Sequence, residues 1–341
     1  MATDVIEIDA LAAPESLLLE LHSFYVELDK EELPEDPQMP AEQRFAIWRH
    51  VPNYSVVRRW VLFDNETIVG TSVLSMNKTE NLKNAYFRLY IGQKHRRKGL
   101  SRLLAEPILD VALENGRTSL TTDVTEGSEW EPKLESLGMK RSLVDKESRL
   151  MIEDVDWDLM DNWIERASER APEYELLSLE TPIPEEHLQK WCDLMLVMNT
   201  APLEDLDWEP FTMSPEKWRS IESIDIARGN PLMAEVAVHK PTGDWVGVSE
   251  INALSHQPDL AWQGDTGVDP AHRNKGLGRW LKAAMLKRFV AAHPETERID
   301  TENAGSNEPM LNINIEMGYR PLHVNNAWQG DTAGVRAGLG L

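Results

Sequence analysis

The residues whose types and spacing most clearly suggest a chemical role form a short basic loop with two glycines, Arg273–Gly278. Arg279 follows directly after it. The loop lies between a predicted strand that ends at Val268 and a predicted helix that begins at Leu277. Backbone N–H groups in the first turn of a helix lack intrahelical partners, and the helix dipole adds partial positive charge there. Because glycine has no Cβ, the backbone at 276 and 278 allows an anion to approach closely. The pattern therefore predicts a cradle for phosphate groups.

The loop differs from the commoner phosphate-binding sequences. The chain has no Gly-x4-Gly-Lys-Ser/Thr loop, and no Gly-x-Gly-x-x-Gly with an acidic residue about 20 positions later. The order here is Arg-x-x-Gly-x-Gly after a strand ending in valine. A tight strand-to-helix turn with solvated basic side chains is the alternative interpretation of the same residues.

The elements that would position this loop occur twice along the chain. In the first half we predict strands at 55–63, 67–76, 85–91 and 117–122, with helices at 100–114 and 129–137. In the second half we predict strands at 232–239, 245–254, 261–268 and 298–301, with helices at 277–291 and 309–317. Apolar alternation and helical spacing of leucine, isoleucine and valine support these assignments.

Matched glycines support a duplication. Gly99 precedes Gly276 by 177 residues, and Gly138, which ends the last helix of the first half, precedes Gly318 by 180. We therefore predict an N-terminal domain at 1–155, a connecting helix at 156–172 and a C-terminal domain at 173–341. The predicted fold class is α+β, with two tandem domains, each a mixed and mainly antiparallel sheet flanked by helices.

With these elements in place, the second half resembles the GNAT (GCN5-related N-acetyltransferase) superfamily. Its cofactor loop, Gln/Arg-x-x-Gly-x-Gly/Ala, is matched in full by Arg273–Gly278, and the resemblance continues through Thr301-Glu302-Asn303, Asn307 and Met317-Gly318-Tyr319. The whole chain looks like the tandem GNAT proteins common in actinobacteria. The resemblance implies acetyl-CoA, or another acyl-CoA, as the donor.

The resemblance also implies roles for particular residues. Val268 would meet the pantetheine arm of the donor, and Asn303 and Asn307 would lie beside it. The pyrophosphate would be held by the backbone of Arg273, Asn274, Lys275, Gly276, Leu277, Gly278 and Arg279. In the first half the corresponding cofactor residues are Ile91, Arg96, Gly99 and Ser101, with serine where glycine or alanine is usual. Asp123 and Gly127 stand there in place of Asn303 and Asn307, which makes this half the less complete copy.

Acyl transfer to an amine requires a group that accepts the amine's proton and a source of a proton for the leaving thiolate. The acids on the central strands, Glu250 and Asp265, are the candidate catalytic residues and rank equally, with Glu302 as a further candidate. Each has a solvated strand carboxylate as its alternative. The tyrosine that often serves the family as acid is replaced by Asn314, so we expect protonation from the ammonium or from water.

The composition of the chain limits the classes of binding partner and the cellular compartments that we expect for it. The chain has 341 residues, 35 basic and 58 acidic side chains and a formal net charge of −23, which disfavours nucleic acid and anionic membranes and favours a cationic acceptor. The single cysteine, Cys192, excludes an internal disulfide, and scattered histidines predict no metal site. The N-terminal ten residues lack the features of a signal peptide, so we expect a cytoplasmic protein, monomeric or homodimeric.

The sequence therefore predicts an N-acyltransferase that moves an acetyl group from acetyl-CoA to the amine of a small, cationic molecule, such as an antibiotic or its precursor. The C-terminal domain is the expected catalytic one. The alternative function is a non-catalytic protein that binds or senses acyl-CoA, because the donor loop would serve both.

Overall fold

The computed structural model describes residues 3–34 and 36–341, and the chain divides into two compact units. Unit 1 comprises Met1–Leu143, Asp205–Glu209 and Asn326–Leu341. Unit 2 comprises Val144–Glu204 and Pro210–Asn325. The N-terminal ten residues lack the features of a signal peptide in sequence, and residues 1 and 2 of that segment lie outside the described part of the chain. Among the described helices, none has the length and apolar composition that a membrane crossing requires.

The first half of the chain follows the order strand, two helices, three strands, helix, strand, helix, strand. Its elements are β1 Thr3–Ile8, α1 Glu15–Glu32, α2 Ala41–Arg49, β2 Ser55–Asp64, β3 Thr67–Asn77, β4 Asn84–Ile91, α3 Leu100–Glu114, β5 Ser119–Thr125, α4 Glu131–Ser136 and β6 Lys140–Met151. Helix α5, Trp157–Arg170, then leads into the second half.

The second half repeats the same order. Its elements are β7 Tyr174–Glu180, α6 Leu188–Met195, α7 Pro215–Ala227, β8 Leu232–His239, β9 Asp244–Ala253, β10 Leu260–Val268, α8 Leu277–Ala292, β11 Arg298–Ala304, α9 Glu308–Met317 and β12 Arg320–Asp331, followed by α10 Thr332–Gly338. The predicted duplication and the predicted strands and helices are confirmed, with shifts of at most three residues at their ends.

Each unit has a mixed sheet. In unit 1 the strand order is β1-β2-β3-β4-β5-β12, with β12 contributing residues 326–331, and in unit 2 it is β6-β11-β10-β9-β8-β7, with β6 contributing residues 144–151. Within the units β4 pairs with β5 and β10 with β11 in parallel, while the remaining registered pairs are antiparallel. The predicted fold class is therefore confirmed.

Strand alternation in unit 2 directs side chains into two cores. On one face Val236 and Val248 pack with Trp191 of α6 and Trp218 of α7, all almost fully buried. On the other face Ile251 packs against α5 and α8. Cys192 lies in the first of these cores and Tyr319 in the second.

The compact units depart from the predicted domain boundaries at the last strand of each half. Residues 144–151 of β6 belong to unit 2, where they pair with β11, and residues 326–341 belong to unit 1. Trp328 and Val335 are 8% and 4% exposed in the unit 1 core. Arg102 of α3 donates a hydrogen bond to the carbonyl of Gly340. The core of unit 1 therefore depends on residues far away in sequence, which strand and helix patterns did not reveal.

We expect Trp328→Ala to destabilise unit 1 by about 3–5 kcal/mol, because removing a buried indole loses apolar burial and leaves a cavity. Hydrogen exchange followed by mass spectrometry should show faster exchange in peptides from α3 and little change in peptides from α8. Trp208→Ala is the matched control, since that indole also belongs to unit 1 but is 41% exposed. Equal effects of the two substitutions would contradict the assignment of residues 326–341 to the unit 1 core.

Candidate active site

The loop after β10 is built to present backbone N–H groups. Asp269 accepts a hydrogen bond from Ala271 N at 2.8 Å and holds a short 3₁₀ turn, Pro270–His272. Asn274 and Gly276 then adopt left-handed φ angles of +64° and +84°. Helix α8 begins at Leu277 after Gly276, which has no side chain to cap the N–H donors of the first turn. Such a succession of turn and uncapped helix end suits an anion.

The basic side chains of the loop are all engaged with the protein. Arg273 Nε donates to Val268 O at 2.9 Å, and its Nη2 donates to Thr200 Oγ1 at 2.5 Å. Lys275 Nζ donates to Tyr174 Oη at 2.7 Å. Arg279 forms a two-pronged ion pair with Glu316, with N···O distances of 3.0 and 2.6 Å. These side chains fix the loop, which leaves its backbone to contact a ligand.

The two glycines of the loop have different roles. A Cβ on Gly276 would meet nothing within 4 Å, so open space lies beside this residue, and its positive φ disfavours other residues. A Cβ on Gly278 would lie 3.4 Å from Ile313 Cδ1 of α9. The second glycine therefore lies where α8 packs against α9, and its contribution to close approach of an anion stays a prediction.

A gap opens in the sheet beside the loop. Strands β10 and β11 pair only from Leu260 to Trp262, and β10 then continues to Val268 without a registered partner on that side. Asp269 N donates to Val246 O of β9 at 2.8 Å. Because successive backbone groups of a strand point to opposite sides, the N–H of Val268 points away from β9, into the gap. The gap thus brings a free strand edge to the loop at Val268, and the contact of this residue with a donor stays a prediction.

The predicted asparagines lie on the far side of this gap. Asn303 is near the end of β11 and accepts a hydrogen bond from Asn314 Nδ2 at 2.6 Å. Asn314 is 2% exposed, and its Oδ1 has no partner. Asn307 begins α9 without capping it by its side chain, so its amide stays available. An amide at 314 has no proton to release at neutral pH, so Asn314 does not replace the missing tyrosine acid.

The two predicted catalytic carboxyl groups come together at an irregularity in β10. The pairing of β10 with β9 shifts register between Gln263 and Thr266, which places Gly264 and Asp265 together opposite Glu250. Asp265 N donates to Glu250 Oε1 at 3.2 Å. Glu250 is 8% exposed, and its Oε2 is buried without a partner. This irregularity is a β-bulge, which the sequence analysis did not predict. It places Glu250 in a buried position where one of its two carboxylate oxygens lacks a hydrogen-bond partner.

Burial controls the protonation of these groups. Desolvation raises the pKa of Glu250 well above its ordinary value of 4.5, and the nearby charges of Asp265 and Asp225 raise it further against the bond from Asp265 N. Desolvation also raises the pKa of Asp265. The third candidate, Glu302, is exposed on β11. Perturbed carboxyl groups of this kind are typical of catalytic sites, which favours Glu250 and Asp265 over Glu302.

The first half builds the same loop. Arg97 and Gly99 have φ angles of +62° and +78°, and Arg96 Nε donates to Ile91 O at 3.0 Å, as Arg273 does to Val268. Ser101 lies in the first turn of α3, where Gly278 lies in α8. All of these residues precede their counterparts by 177 positions, so the backbone of the loop is retained.

The surroundings of that loop differ from those in unit 2. Arg96 pairs with both oxygens of Glu31 at 2.5 and 2.7 Å, and Glu129 lies 3.5 Å from Arg96 and 3.2 Å from Arg97. In unit 2 the partner of the corresponding Arg273 is the neutral Thr200. Unit 2 also has carboxylates at its loop, Glu173 near Lys275 and Glu316 paired with Arg279, so this difference concerns the first arginine alone.

Unit 1 also lacks the paired acids. Counting back 177 positions, Val73 replaces Glu250 and Arg88 replaces Asp265, and the two face each other in a register without a bulge. Arg88 forms an ion pair with Asp123 at 2.8 Å. A cation and a methyl-bearing side chain therefore stand where unit 2 has two carboxyl groups.

Comparisons with known proteins agree with this geometry. Residues 21–129 match the family described as Acetyltransferase (GNAT) family. A tandem GNAT protein from the clavulanic acid biosynthesis pathway is 21% identical, with 97% of this chain and 99% of that chain covered and a TM-score of 0.78. The chain therefore has the tandem GNAT fold. The family match lies in the half with the less complete motif.

Other solved structures share this GNAT fold at lower identity. A GCN5-related N-acetyltransferase from Sphaerobacter thermophilus is 11% identical, with 97% and 96% coverage and a TM-score of 0.67. A glucosamine N-acetyltransferase region of a fungal β-N-acetylglucosaminidase is 11% identical, with 96% of this chain and 38% of that chain covered and a TM-score of 0.68. A search of curated proteins finds no significant match. Among the described residues no group of three metal-binding side chains occurs.

We expect Glu250→Gln to stabilise the folded protein at alkaline pH by about 1–3 kcal/mol, because it removes a buried charge with an unsatisfied oxygen. Since the folded-state pKa of Glu250 is raised, the native carboxylate costs stability above its ordinary value of 4.5, and the cost grows until the raised pKa is passed. The advantage of the variant should therefore be small at pH 5 and larger at pH 8.

Urea unfolding at both pH values measures this difference. Glu175→Gln is the control, because Glu175 is an exposed strand carboxylate whose loss should change stability by no more than about 0.5 kcal/mol. A wild-type protein that is more stable than Glu250→Gln at pH 8 would show that the Glu250 carboxylate is well solvated or paired.

Proposed function

We propose that unit 2 is an acyl-CoA-dependent N-acyltransferase that acts on the amine of a small cationic molecule, with Glu250 as the general base. The observation that carries the proposal is the buried, unpartnered Oε2 of Glu250 beside the gap between β10 and β11. GNAT membership of the fold supports acyl transfer as the class of reaction.

The residues present fit an acyl-CoA donor. The open space beside Gly276 and the uncapped N-terminus of α8 suit a pyrophosphate, and the strand edge at Val268 suits an amide-containing arm in an extended conformation. Bound acetyl-CoA supplies a thioester whose carbonyl carbon is attacked and whose thiolate leaves. The N–H of Val268 points into the gap, where a donor would stabilise the negative charge that develops on the carbonyl oxygen.

The protein's own contribution to the reaction is the movement of protons. An amine arrives protonated at neutral pH, and the Glu250 carboxylate takes one proton, which leaves a neutral nucleophile. The raised pKa of Glu250 brings its basicity closer to that of the amine and eases this transfer. After attack the nitrogen carries one further proton to lose, and the departing thiolate accepts it. No tyrosine acid is then needed, which is consistent with the amide at Asn314.

We expect Glu250→Gln to lower kcat by about 10²–10⁴-fold with acetyl-CoA and an amine, since general base catalysis contributes on that scale. In the wild type, kcat/KM should fall as the pH drops through the raised pKa of Glu250, because only the carboxylate accepts a proton. Thiol release measured between pH 5 and 9 tests both points. A variant with unchanged kcat would remove Glu250 from the mechanism.

A matched pair of loop variants tests which unit performs the reaction. Gly276→Trp should abolish turnover and donor binding in unit 2, because an indole would fill the open space at the helix N-terminus. Gly99→Trp imposes the same change at a glycine with nearly the same φ and the same open surroundings in unit 1, and turnover should persist. Thiol release and calorimetry with acetyl-CoA measure the two effects.

The same two measurements, thiol release and calorimetry, distinguish an enzyme from a protein that only binds acyl-CoA. The absence of a tyrosine acid favours such a binding protein, and tight acetyl-CoA binding without turnover of any amine would support it. Loss of turnover in Gly99→Trp but not in Gly276→Trp would assign the reaction to unit 1 instead.

A further inference from the structure

Unit 2 contains a cavity of about 260 Å³ on the face of the sheet covered by α7. It is lined by Asp225 near the end of α7, Asn230 in the following turn, Asn252 and Leu254 at the end of β9, and Trp262 of β10. Ligand pockets typically measure about 300–1,000 Å³, so this cavity has room for one arm of a small molecule.

Glu250 lies next to one wall of the cavity, although it does not line it. Asn252 and Glu250 are two residues apart on β9, so their side chains lie on the same face of the sheet. A Cβ on Gly264 would lie 2.8 Å from Glu250 Oε1 and 3.3 Å from Asn252 Oδ1, which places both side chains against the same glycine. The charge of Asp225 contributes to the raised pKa of Glu250, so this carboxyl group is also close.

Two hydrogen-bond acceptors in this region lack a partner. Glu250 Oε2 and Asn230 Oδ1 are buried without partners. Asn252 donates one of its two amide N–H groups to Asn230 O at 3.3 Å. A ligand that brings hydrogen-bond donors would satisfy the unpartnered oxygens, because buried acceptors without donors are costly to retain.

The charges around the cavity are mainly negative. Asp225, Glu250 and Asp265 face it or adjoin it, and Arg228 is the cation that acts on Asp225. Desolvation raises the pKa of Asp225, and the effect of Arg228 in the opposite direction does not cancel it. Trp262 adds an aromatic wall, whose face attracts cations. Donor-rich and positively charged groups satisfy all of these features together.

We propose that this cavity binds a second cationic group of the acceptor, so that the substrate is a small molecule with two amino groups. One amine reacts beside Glu250, and the other lies as an ammonium against Asp225, Asn230 and Trp262. The inference rests on the proposed function, since it concerns the acceptor of that reaction. It adds a residue, Asp225, that selects the acceptor by charge and takes no part in the transfer.

The test compares α,ω-diamines of three to five carbons with amino alcohols of the same length, using acetyl-CoA and thiol release. Each amino alcohol keeps the reacting amine and replaces the second ammonium by a neutral donor. For the best chain length we expect kcat/KM to be about 10- to 100-fold higher for the diamine, as one charge-assisted bond provides. Asp225→Asn should remove this preference by lowering kcat/KM for the diamine much more than for the amino alcohol.

Three further variants complete the experiment. Asp193→Asn makes the same charge change at an exposed position of α6 and should leave the preference intact. Asp225→Glu keeps the charge and should keep part of the preference. Glu250→Gln should slow both substrates alike. Thermal unfolding of each variant identifies loss of fold, and the wild-type comparison decides the question even if Asp225→Asn does not fold.

The possible failures are distinct. Equal kcat/KM for diamine and amino alcohol in the wild type, or an equal loss for both in a folded Asp225→Asn, would overturn the second cation site and leave the acyltransferase proposal standing. No turnover of any amine by the wild type would overturn both.

Discussion

The hydrogen bond from an arginine to the carbonyl of the last strand residue is the interaction on which the candidate site depends. Because β11 separates from β10, the carbonyl of Val268 has lost the partner that a neighbouring strand would supply. Arg273 Nε replaces that partner at 2.9 Å, and thereby holds the loop against the end of the strand. Helix α8 then begins with its first N–H groups open. Arg96 and Ile91 form the same bond in unit 1.

Residue patterns were sufficient for the parts of the fold that depend on local sequence. The arginine, the spaced glycines and the flanking strand and helix identified the loop, and its copy 177 positions earlier identified the duplication. Glu250 and Asp265 were found because acids on buried central strands are unusual. Neither the cavity beside Asp225 nor the partners of Arg273 left such a signal, because both depend on residues that are far apart in the chain.

Other features escaped sequence reasoning for identifiable reasons. A β-bulge depends on the register between two strands, and the single residue Gly264 is a weak mark of it. No pattern in the sequence indicated that Gly278 lies next to Ile313 of α9, where an added Cβ would be 3.4 Å from Cδ1. The predicted domain boundary followed the order of elements, whereas the compact units are decided by pairing of the last strands.

The two units share the backbone of the loop but differ in the side chains around it. Unit 1 keeps the left-handed turns and the arginine bond, which stabilise the junction of strand and helix whether or not a ligand binds. It has Val73 and Arg88 in place of the acids, and Glu31 and Glu129 beside the loop. Groups required by the backbone have been retained, and groups that would only serve a reaction differ.

The place of residues 326–341 in unit 1 has a consequence for the order of events on the ribosome. Residues 3–143 emerge first, but Trp328 and Val335 of their core are synthesised more than 180 residues later. At about 5–20 residues per second, that delay is roughly 10–40 s. Throughout that interval the edge of β5 and the apolar face that Trp328 covers lack their final partners, and both are surfaces on which unfinished chains can associate.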